Sequence, residues 1–174
     1  MVKNIIMSFF AAILAVFIVG CDKIPTPERM KAISTVVGKT AGYACELSKT
    51  KTAVKVAVSE VLDVASTVVP GEGQTFAEAW KPVIKEELSK LVAEGKIGQD
   101  EANVAEVALN AAAYGIDYIF IKHPKAKDVK ELVSVSVASF VEGYKSVVTL
   151  SSNSNVEIDE EAYKYVRSKL SAGN

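Results

Sequence analysis

The residue sets that catalysis requires are almost absent from this 174-residue chain, which holds two cysteines, Cys21 and Cys45, and one histidine, His123. A single histidine excludes histidine pairs and histidine-based metal sites. It stands in Lys122-His123-Pro124-Lys125 with no obvious carboxylate partner to orient it as a base, so it reads as a solvated loop residue. No glycine-rich phosphate loop, nucleophile elbow, HExxH or CxxC pattern occurs in the sequence. The acidic pairs Glu86-Glu87 and Glu160-Glu161 belong to charged helix faces. No catalytic residue, metal or cofactor is therefore expected. The lysines offer another chemistry. Lys122, Lys125, Lys127 and Lys130 fall within nine residues, a density that suits phosphate oxygens, and Lys49, Lys51 and Lys55 form a second cluster that could face a partner.

The thiol of Cys21 has the most specific surroundings. Met1-Val2-Lys3-Asn4 carries one positive charge and precedes an apolar run from Ile5 to Val19, interrupted only by Ser8. A charged segment followed by such a run is the order of a secretory signal. At roughly 15 residues the run is shorter than the ~20 that a spanning helix needs, which favours cleavage over a permanent N-terminal anchor, the alternative reading. The run ends in Ile18-Val19-Gly20-Cys21, which resembles the lipobox of bacterial lipoproteins. The resemblance covers the first 21 residues. It implies cleavage before Cys21, diacylglycerol on its sulfur, and a lipid anchor on the extracytoplasmic side of the cell envelope. Asp22, next in sequence, resembles the inner-membrane retention signal of enterobacterial lipoproteins. Two or three acyl chains hold a protein stably in a bilayer where one does not.

Removal of residues 1–20 leaves 154 residues, enough for one domain with its own core. Losing Lys3 leaves 19 basic against 21 acidic residues, a balance that gives no general attraction to nucleic acid. With Cys21 acylated, Cys45 has no intramolecular partner for a disulfide, and an unpaired thiol of this kind is expected to be buried.

The elements that must position these groups are helices. Residues 21–26 form an acylated tether, whose stretch 22–26 spans at most roughly 18 Å. Thr26-Pro27-Glu28 then starts a helix reaching about Leu47, with Gly38, Ala41, Gly42 and Ala44 small enough for close packing on a neighbour. Spacing of apolar residues predicts a second helix over Thr52–Val69. A third runs from the Thr75–Glu78 capping box to near Gly95, either kinked at Pro82 or beginning with a separate turn. The fourth, over residues 99–122, is apolar over most of its circumference and reads as the central helix, with Glu106 and Asp117 at its wetter edge. The fifth covers about Lys127–Leu150, although Val133 to Val137 alternates with serine as a strand would. After the linker Ser151–Asn155, a short helix from Asp159 to Leu170 docks loosely or not at all.

The expected architecture is thus all-α: a signal-peptide helix (1–20), the tether (21–26), a compact bundle of about five helices (27–150), and a linker with a short C-terminal helix (151–174). If the helices alternate in direction, the first leaves the membrane and the fourth returns to it. That would bring Lys122, Lys125 and Lys127 beside anionic headgroups, at up to about 1 kcal/mol each. The expected function is binding or scaffolding at the envelope, with the membrane as one partner through Cys21 and a protein as another. Two other classes remain open: a host-exclusion or membrane-perturbing lipoprotein of the kind mobile elements encode, and an envelope enzyme.

Overall fold

At the start of the described residues Pro25 is buried, and the Thr26 hydroxyl oxygen accepts from the Arg29 amide at 3.4 Å. The computed structural model describes residues 24–46, 52–148 and 159–172, apart from the side chains of residues 44–46. Cys21, Asp22, the side chain of Cys45 and the lysines at 49 and 51 lie outside that set. The described residues form six α-helices and no strand: α1 (Pro27–Glu46), α2 (Thr52–Ala65), α3 (Phe76–Ala93), α4 (Gln99–Lys122), α5 (Lys130–Val148) and α6 (Glu160–Ala172). A short 3-10 turn, Pro124–Ala126, joins α4 to α5.

Local chemistry sets the boundaries. α2 stops at Ala65, four residues short of expectation, because the hydroxyls of Ser66 and Thr67 bond back to the carbonyls of Asp63 and Val64. α3 starts on the expected capping box: Thr75 Oγ1 accepts from the Glu78 amide at 3.2 Å, and Glu78 Oε2 accepts from the Thr75 amide at 2.9 Å. It runs unbroken through Pro82, which is exposed, so no separate first turn exists. Its C-terminus is a Schellman motif, with Gly95 at φ 70°, the Gly95 amide on Val92 O and the Lys96 amide on Leu91 O. Asp159 is the cap of α6 rather than its first residue, accepting from the amides of Glu161 and Ala162 at 3.0 Å. The Val/Ser stretch in α5 is helical: Val133, Ser136, Val137 and Phe140 face inward at three- and four-residue steps.

α4 is the hub. From Ala111 to Phe120 only Tyr114 escapes full burial, whereas Val104 and Val107 in its first half are exposed. It is long and apolar enough to cross a membrane, but 67% of its most apolar window is buried inside the bundle. α1 runs antiparallel to it, placing Ala41 beside Gly115 and Arg29 near His123. α5 lies parallel to α1 in the most extensive helix pairing of the molecule. The approach is close enough that a Cβ on Gly38 would collide with the Phe140 carbonyl and one on Gly143 with the Thr35 carbonyl. Tyr144 completes this side, its hydroxyl donating to Ala108 O at 2.7 Å.

Candidate functional site

The end of the bundle at which α1 begins collects most of the charged groups that the sequence singles out. It is built from the start of α1, the last turn of α4, the 3-10 turn, the connection 66–75, and the first turns of α3, α5 and α6. Its organising residue is Asp117, one that sequence reasoning placed at a wet edge. It is buried, with 8% of its surface exposed. Its carboxylate accepts from the amides of Phe76 at 2.7 Å and Ala77 at 3.1 Å, the first two of α3. With Thr75 serving Glu78, and Ala79 N bonding Thr75 O at 3.0 Å, all four leading amides of α3 are satisfied. Burial still pushes the Asp117 carboxyl above its ordinary pKa, against the pull of those two amides and of the Lys127 charge.

The three lysines expected at headgroups occupy different environments. Lys122 Nζ pairs with Glu161 of α6 at 2.7 Å and lies 5.6 Å from the centre of the Tyr118 ring. Lys127 is half-buried and donates to the Gln74 carbonyl at 2.7 Å, tying the 3-10 turn to the connection before α3. Lys125 is exposed. His123 caps α4, its amide bonding Ile119 O at 2.9 Å, and is half-buried rather than fully solvated. Burial, with the charges of Arg29 and Lys122, lowers its pKa and favours the neutral ring. Glu106, the other acid of α4, is half-buried. Comparison with family models, curated proteins and solved structures gave no match. The chemistry of this end must therefore be read from its own residues.

A cleft of about 300 Å³ opens here, lined by the connection Val69–Gly73 with Phe76, Lys127, Asp128 and Val133. Glu72, Lys127 and Asp128 give it polar walls, yet Lys127 is already bonded to the backbone. The groups of this end therefore mainly join helix termini to one another. The sequence contained one signal for the role of Asp117: it is the only charged residue between Val107 and Ile121. An acid in so apolar a stretch needs either solvent or donors, and here the donors are a helix N-terminus 40 residues away in sequence.

Proposed function

We propose that this chain is a lipid-anchored envelope protein whose helical body binds or scaffolds a partner at the membrane surface. What supports the anchor is the pattern ending at Cys21 together with the burial of a residue close after it. Pro25, four residues after the cysteine, is buried, and Thr26 caps α1. What supports binding over catalysis is that Trp80, Tyr144, Phe76 and Phe140, each at most 1% exposed, pack the interior, and that Lys127, a polar wall of the cleft, is already bonded to the Gln74 carbonyl. A bundle with such a core presents surfaces to other molecules. Asp22 supports an inner-membrane location.

Mass spectrometry of the protein extracted from membranes tests the anchor. The expected N-terminal peptide begins at an acylated Cys21, and an unmodified thiol with residues 1–20 still attached would falsify it. Cross-linking in intact cells before detergent extraction tests the scaffold: a reproducible protein adduct is expected, and its absence counts against that role.

A further inference from the structure

We propose that the bundle stands end-on to the bilayer and inserts the aliphatic side chains of Ile24, Val69 and Ile121 into the headgroup region, so that the lipid surface itself is the ligand of this end. The inference rests on the reading that Cys21 is acylated. Only three residue steps separate Cys21 from Ile24, a reach of about 10 Å when fully extended. Ile24 is followed at once by the buried Pro25 and the cap at Thr26, which fix where the tether leaves the body. The bilayer surface must therefore lie next to the start of α1.

Three segments meet there, and each carries an exposed aliphatic residue. Ile24 precedes α1 and is 52% exposed; Ile121, in the last turn of α4, is 58% exposed; Val69, in the 66–75 connection, is 65% exposed. α1 runs antiparallel to α4 with Ala41 packed on Gly115, so the start of α1 and the end of α4 lie at the same end of the bundle. The bond from Lys127 to Gln74 and the cleft shared by Val69, Lys127 and Asp128 bring the connection to the same end. The exposed Val104 lies 17 residues before Ile121 on α4, roughly 25 Å further along the helix axis, and is out of reach of the same surface. The cations of this end, Arg29, Lys122, Lys125, Lys127 and Lys130, are outnumbered by acids of the same segments, Glu72, Glu78, Asp128, Glu131, Asp159 and Glu160 among them, and Lys122 is paired with Glu161. Apolar insertion rather than attraction to anionic lipid holds the orientation.

The test uses the full acylated protein carrying Cys45→Ser, with Ile121→Cys, Val69→Cys or Val104→Cys added singly and labelled with an environment-sensitive fluorophore. The proteins are reconstituted into phosphatidylcholine vesicles, with and without phosphatidylglycerol, doped with lipid brominated near the headgroup. Quenching at positions 121 and 69 is expected to be several-fold stronger than at 104, in both lipids. Equal quenching at all three positions, with acylation of Cys21 confirmed by mass, overturns the orientation and leaves the anchor standing. Quenching that appears only with phosphatidylglycerol replaces insertion by electrostatic docking and also overturns it. An unmodified Cys21 overturns the anchor and this inference together.

Discussion

At the scale of single residues, Asp117 and His123 control opposite limbs of the pH dependence. Burial raises the folded-state pKa of Asp117 above its ordinary 3.8, so the folded protein holds that proton more tightly than the unfolded chain does. Stability from this group is complete below 3.8 and declines as pH rises through the interval just above it. His123 behaves in reverse. Its folded pKa is depressed below 6.5, so stability is full above 6.5 and is lost as pH falls below it. Urea midpoints followed through Trp80 fluorescence should therefore lose the decline above 3.8 in Asp117→Asn and the slope below 6.5 in His123→Asn. Asp117→Ala, which leaves the buried Phe76 amide and the part-buried Ala77 amide without their acceptor, should lower stability by about 1–3 kcal/mol at neutral pH. Little of this was legible in the sequence. The solitude of Asp117 in an apolar stretch was visible, but its donors lie on another helix, and spacing within α4 carries no information about them.

Among the elements, the α1–α5 pair makes the sharpest demand. Gly38 and Gly143 each face a backbone carbonyl of the other helix, and a backbone cannot swing aside as a side chain can. Gly38→Ala gains up to about 1 kcal/mol of helix propensity. The forced separation of the helices outweighs it, and we expect a net loss of about 1–3 kcal/mol in urea denaturation. Gly98→Ser is the contrasting case. Gly98 caps α4 in extended geometry, a Cβ there would meet only Glu101 Oε2 at an ordinary 3.8 Å, and a serine hydroxyl should raise stability by a few tenths of a kcal/mol. Helix existence was legible throughout, because apolar spacing and caps such as Thr26 and Thr75 act within a few residues. The small residues of α1 also announced a close neighbour. They could not name α5 as that neighbour, since a glycine face fits any helix that offers a matching groove, and the end of α2 depends on two hydroxyls whose competition with the helix leaves no mark in apolar spacing.

For the molecule as a whole, the question is whether α6 belongs to the cooperative unit. The polar segment before it pointed to loose docking, yet Ala162 and Val166 are fully buried, Tyr165 lies 5.5 Å from Tyr118 between ring centres, and Lys122 pairs with Glu161. The ion pair is exposed and adds little; the buried aliphatic contacts dominate. Sequence periodicity gave the face of α6 but not its partner, because a stripe of Ala162 and Val166 is too short to reveal how much surface opposes it. Val166→Ala removes two fully buried carbons and should lower stability by about 2 kcal/mol. The informative observable is where that loss appears. Trp80 sits on α3, while α6 packs on α4 and α1, so its fluorescence reports the body of the bundle rather than the C-terminal helix itself. If α6 folds with the rest, Val166→Ala moves the Trp80 transition and the far-UV dichroism transition together. If α6 opens independently, dichroism loses amplitude before the main transition while the Trp80 midpoint stays at its wild-type position. The burial of Val166 beside the hub helix predicts the first outcome.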